Sequence, residues 1–141
     1  MSWFLLLSLV GSLSAAEARE VEGTVTKFTS AMDRRDVSTV TQLSMPDLRV
    51  SFVVGEGPLM SMGRGELVEM LQAGKVGGAP RTLKIHAVAG NGTFAVAHGT
   101  LERTDANFDV VWQLTRTKEG WRIHADATSM QVRPTPASMQ R

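Results

Sequence analysis

Cysteine is absent from the sequence, which excludes disulfides, thiolate metal sites, cysteine nucleophiles and a lipoprotein anchor. Tyrosine is absent too, so no phenol is available for the general-acid or oxyanion-binding roles that many enzyme pockets give it. Neither sign of charge prevails: fifteen basic residues stand against fourteen acidic ones, with no basic run, and a nucleic-acid partner is not expected. No apolar stretch is long enough to cross a bilayer as a helix. The glycines of Gly74 to Pro80 make no phosphate loop, because no strand precedes them and no Gly-Lys-Ser/Thr follows. Metal binding needs three converging ligands, and no such set is expected; no cofactor is expected either. Asn91-Gly92-Thr93 fits a glycosylation pattern, but it falls in a tight turn and is read as chance.

What is present fits one globular domain. The chain has 141 residues, 43% of them hydrophobic, and folding at this size buries roughly two-thirds of the unfolded surface. Its first residues look like a processing segment. Trp3 to Leu13 is an uncharged, largely apolar run of eleven residues, the length of a signal-peptide core. Small residues follow, as Ser14-Ala15-Ala16 and Ala16-Glu17-Ala18, and the mature chain is expected to begin at Glu17 or Arg19. The expected division is a signal over 1–18, a domain over 19–132 and a polar tail over 133–141. That implies a secreted or periplasmic protein with no membrane contact after cleavage. The alternative is a cytoplasmic protein whose apolar start docks on the domain as a first helical turn.

The chain is organised around Asn107 to Met130. Phe108, Val110, Trp112 and Leu114 alternate with more polar positions, the period-two pattern of a strand with one buried face. Thr117-Lys118-Glu119-Gly120 supplies a turn. A return strand follows, with Trp121, Ile123, Ala125 and Ala127 expected on one face and Arg122, His124, Asp126 and Thr128 on the other. Upstream, Val21, Val25, Phe28 and Met32 form one stripe of an amphipathic helix from about Ala18 to Arg34. Asp36 caps a short second helix that Pro46 ends. Leu48 to Val54 alternates as a strand, with Phe52 on the Leu48, Val50 and Val54 face. Leu59 to Met62 is a short strand, Gly63 to Gln72 a third helix, and Gly74 to Pro80 a flexible connector. Thr82 to Ala89 and Thr93 to Arg103 flank Asn91-Gly92, a strong hairpin signal. Helices followed by strands indicate α+β, with three helices laid on one face of a curved antiparallel sheet.

Three segments, FTSAMDRRDVSTVTQL, MGRGELVEML and the ending GWRIHADATSM, resemble the nuclear transport factor 2-like superfamily with its SnoaL-like and ketosteroid-isomerase-like branches. The resemblance covers about Glu20 to Val132. It implies a cone-shaped, cystatin-like roll with a cavity between helices and sheet, and a homodimer. It also implies that the enzymatic residues do not carry over. The isomerase tyrosine of the first helix, the late-strand acid and the first-strand aspartate match Phe28, Trp112 and Phe52. None of these can move a proton.

Phe28, Phe52 and Trp112 are therefore expected together on the helix-facing side, as packed core or as the lining of a ligand cavity. The same matching turns Val96, His98, Thr100 and Glu102 toward the cavity, and likewise His124 and Asp126. A histidine beside a carboxylate reads as a solvated or structurally bonded pair, as a ligand-recognising pair, as a base oriented by its acid, or as half of a metal site. His86 shares a polar face with Lys84 and is expected at the surface. The favoured expectation is a secreted, non-catalytic binder of a small apolar or amphipathic molecule, held by Phe28, Phe52, Val96, His98, Trp112, His124 and Asp126. The alternative is a SnoaL-like isomerase, cyclase or lyase using His98, His124 and Asp126 in acid–base work, and a third is a structural dimerisation module whose cavity is filled.

Overall fold

The computed structural model describes residues 12–134. Most of the Trp3–Leu13 run, and the tail beyond Pro134, lie outside the described residues. The order is α1 (Ala15–Arg34), α2 (Val37–Gln42), β1 (Ser44–Val54), β2 (Met60–Gly63), α3 (Arg64–Gln72), β3 (Thr82–Gly90), β4 (Phe94–Arg103), β5 (Ala106–Thr117) and β6 (Gly120–Val132). None of the described helices is long and apolar enough to cross a membrane.

The first helix starts earlier than its apolar stripe. Ser14 is the N-cap, its hydroxyl accepting from the Glu17 amide while the Glu17 carboxylate accepts from the Ser14 amide. This reciprocal pair satisfies two amides that a helix start otherwise leaves open. Ser-x-x-Glu was legible in the sequence, but the apolar stripe begins only at Val21. At the other end Arg35 takes a left-handed conformation, with φ 55°. Asp36 caps α2 as expected, through the Thr39 amide. Pro46 does not end that helix; it lies inside β1, which is longer than the Leu48 to Val54 alternation.

The six strands form one open, curved sheet in the order β2-β1-β6-β5-β4-β3. All pairings are antiparallel except β1 with β6, which is parallel. The helices lie on one face, and the core fills the space between. Val21, Val25 and Phe28 of α1 and Leu67 and Leu71 of α3 meet Val110, Trp112, Leu114, Trp121 and Ile123 of the sheet. Asn91-Gly92 does close a hairpin, as part of a three-residue turn. The Asn91 carboxamide accepts from the amides of Thr93 and Phe94, so the side chain shapes the turn.

Two strands depart from the expected parity. In β4 the buried face is Ala95, Ala97, Gly99 and Leu101, which places Val96, His98, Thr100 and Glu102 on the opposite side. Trp112 lies across them, and Gly99 has no room for a Cβ, which would meet the Lys84 carbonyl at 2.7 Å and Trp112 Cζ3 at 3.1 Å. In β6 a bulge intervenes. Gln113 pairs with Ala125 and Leu114 with Ile123, leaving His124 as an extra residue. A one-residue insertion exchanges the faces beyond it. Trp121 and Ile123 before the bulge therefore share the inner face with Asp126, Thr128 and Met130 beyond it, in place of Ala125 and Ala127.

Candidate functional site

A cavity of about 350 Å³ opens between the helices and the inner face of the sheet. Its apolar wall comes from Phe28 and Met32 of α1, Val50 and Phe52 of β1, Leu67 and Met70 of α3, and Phe108 and Met130 of β5 and β6. Long unbranched methionines beside aromatic rings make a wall that adapts to differently shaped apolar bodies. This is the composition of a small-molecule site, with few polar groups among many apolar ones.

Those polar groups are few and placed by the backbone. Asp126 and Thr128 leave the same face of β6, and the Thr128 hydroxyl donates to Asp126 Oδ1 at 2.7 Å. Burial pushes the Asp126 carboxyl above the ordinary aspartate range, because an ion is poorly solvated there. The Thr128 hydroxyl, the Arg81 charge and the Trp112 indole oppose that shift without reversing it. The accessible part of Asp126 borders the cavity, so its exposure is to the void more than to bulk water. Trp112 Nε1 comes near enough to act on Asp126 electrostatically, yet it makes no hydrogen bond of ordinary geometry.

A second polar group forms one side. Arg81 Nε donates to Asp33 Oδ1 at 2.7 Å, and the Arg81 amide donates to the other oxygen at 3.1 Å. Both side chains are largely buried. The Arg81 guanidinium lies 4.9 Å from the centre of the Phe108 ring, and that of Arg103 lies 5.4 Å from it. The connector between α3 and β3 completes this side through Lys75, Val76, Gly77 and Ala79. Read from sequence as flexible, it is clasped by Arg35, whose guanidinium donates to the carbonyls of Gly74, Val76 and Gly77 at 3.0–3.1 Å. The Gly78 amide also donates to the Asp33 carbonyl.

The family described as "Putative lumazine-binding" matches residues 16–127. The chain belongs to this family. Its fold is that of the nuclear transport factor 2-like superfamily. A Silicibacter pomeroyi protein of that type, of unknown function, aligns with a TM-score of 0.71 at 18% identity, covering 86% of this chain and 100% of that one. A Shewanella baltica protein of the same description gives 0.71 at 13% identity, over 87% and 98%. A ketosteroid isomerase-like protein from Erwinia carotovora atroseptica gives 0.67 at 18% identity, over 87% and 100%. No curated protein matches the chain in sequence.

Within this lumazine-binding-like domain the expected site residues separate. Phe28 and Phe52 stand on the cavity wall, and Asp126 borders the void. Trp112 shares the inner face but is fully buried core rather than lining. Val96 and His98 lie on the outer face, contrary to expectation, because β4 turns its small residues inward. There His98 Nε2 is 2.7 Å from Asp109 Oδ1, and the His98 ring meets that of His86, which is bonded to Thr100. His124, displaced by the bulge, is directed to Asp47 at 3.3 Å. The grouping of His98, His124 and Asp126 is therefore not formed. Asp33, Lys75, Arg81, Arg103 and Phe108 were missed as site residues. Phe108 belongs to a recognisable stripe and Asp33 adjoins one, but Lys75 and Arg81 sit in or beside a connector that has no periodicity to read.

Proposed function

We propose that this domain binds a small, largely apolar or amphipathic organic molecule in the cavity, without transforming it. The observation that carries the reading is a void of about 350 Å³ walled by Phe28, Phe52 and methionines, with Asp126 as the carboxyl that no cation pairs. The family's description names lumazine, which makes that heterocycle one probe to titrate. The first experiment is mass spectrometry of whatever co-purifies from the native host, followed by calorimetric titration of wild type and Thr128→Phe, which fills the void. Binding that is indifferent to Thr128→Phe would remove the cavity from consideration.

A second reading has one observation behind it. A carboxyl raised above its usual range in an apolar cavity is suited to moving a proton, so Asp126 alone could serve an isomerase- or lyase-type reaction. Turnover of the co-purified molecule that is lost in Asp126→Asn decides for it.

Export and dimerisation belong to the same proposal. The apolar Trp3–Leu13 run supports export, and intact mass of the native-host protein checks it: a soluble product retaining that run ends the idea. The exposed Phe94, Val96 and Val111 on the outer sheet face are the surface a homodimer would cover, and light scattering of wild type and Val96→Lys tests that.

A further inference from the structure

Three cations line the cavity, Lys75, Arg81 and Arg103, together with two carboxyl groups, Asp33 and Asp126. Their pairing leaves Lys75, at the exposed edge of the cavity, without a carboxylate partner among the described residues. Asp33 is fully engaged by Arg81, through both the guanidinium and the backbone amide. Asp126 bonds Thr128 and is set toward its uncharged form by burial. Arg103 pairs with Asp105, but Asp105 is 65% exposed and belongs to the turn outside the cavity. Lys75 has no ion-pair partner among the described residues.

Position reinforces the count. Arg81, just ahead of β3, and Arg103, at the end of the neighbouring β4, converge on one ring, Phe108. Arg103 gives Nε and Nη2 to the two oxygens of Asp105 and Arg81 gives Nε to Asp33, so each offers a carboxylate its remaining guanidinium N–H groups, held in direction by the ring. Lys75 is carried beside them on a connector whose path Arg35 sets. Phe28, Phe52, Met62 and Met70 offer only apolar surface. An occupant would thus meet hydrocarbon on one side and cations on the other.

We propose that the cavity selects amphipathic carboxylates, with the apolar body against Phe28, Phe52 and the methionines and the carboxylate head at Lys75, Arg81 and Arg103. The inference rests on the binding reading above and adds the chemistry of the head group. A neutral head forgoes the charge-assisted hydrogen bonds, and a cationic head is repelled.

The test compares three ten-carbon probes, decanoate, 1-decanol and decylamine, by calorimetric titration of the full chain at neutral pH and low salt. Decanoate is expected to bind roughly tenfold or more tightly than decanol, and decylamine most weakly. Lys75→Gln and Arg103→Gln should each weaken decanoate while leaving decanol unchanged. Lys75 is exposed and without an ion pair among the described residues, so its variant keeps the test readable should Arg103→Gln misfold. Equal affinity for decanoate and decanol, preference for decylamine, or a decanoate preference that survives both substitutions overturns the head-group assignment and leaves cavity binding standing. Failure of all three probes overturns both.

Discussion

Trp112 and Asp126 are direct partners across β5 and β6, the indole in the core and the carboxyl at the cavity. They share the inner face only because the bulge at His124 exchanges the parity of β6. The consequence is a carboxyl that its surroundings desolvate, and it makes a signed prediction about pH. The folded Asp126 holds its proton to higher pH than the ordinary aspartate value of 3.8. Between the unfolded and folded values the native state therefore carries a proton that the unfolded chain has released. Stability must fall as pH rises through that window, and be free of the penalty below it. Asp126→Asn has no such titration. Thermal midpoints measured from about pH 3 to about pH 8 should show wild type losing ground to Asp126→Asn as pH rises. A difference between the two that is constant with pH would mean that Asp126 is well solvated.

Trp112 is the largest side chain in the fully buried core. Its removal should cost about 3–5 kcal/mol, the transfer free energy plus the cavity left behind. Trp112→Phe keeps a ring and deletes an indole N–H that has no hydrogen-bond partner among the described residues, so it should cost much less than Trp112→Ala. Urea unfolding of both variants measures the two costs. A Trp112→Ala loss below about 1 kcal/mol would place Trp112 in a loose pocket lining.

His98 and Asp109 occupy the outer face, with side chains 44% and 64% exposed. An exposed pair of this kind contributes at most about 1 kcal/mol. His98→Ala should therefore change stability by less than that, and should leave the affinity of any cavity probe untouched. Calorimetric titration of decanol into wild type and His98→Ala checks the second point. A probe affinity that drops in the variant would reopen a role for the outer face in binding.

The fold was legible where polarity and period agree. Phe108 to Leu114, the Val21 to Met32 stripe and the Asp36 cap each carry a signal that a single element explains. The site was less legible for two physical reasons. In β4 the buried face is built of the small residues Ala95, Ala97 and Gly99, which carry little apolar signal of their own, and the family matching turned Val96, His98, Thr100 and Glu102 inward instead. In β6 the alternation HADAT looks unbroken, and the bulge that gives it new parity arises from pairing with β5 and β1. The irregularity in β1 between Ser44 and Arg49 lies alongside it, and this is where Asp47 meets His124. Neither partner strand can be read from β6 alone.

The connector beside the cavity supplies the last prediction. Its conformation depends on one side chain and on glycines that have no room for another atom. Gly77 has φ +73°, and a Cβ there would run into the Met32 carbonyl; Gly78 has φ +89°, and a Cβ there would meet the Arg35 guanidinium. Gly55, with φ +57°, has nothing nearby. Alanine at Gly55 should cost only the left-handed penalty of about 1–2 kcal/mol. Alanine at Gly77 should cost more, since backbone must move as well. Arg35→Lys keeps the charge but loses the planar fork that reaches three carbonyls. It should raise amide exchange across Gly74 to Ala79 while the exchange of β5 and β6 stays as in wild type. Unaltered exchange in the connector of Arg35→Lys, or equal costs for Gly77→Ala and Gly55→Ala, would show that the clasp does not hold this wall in place.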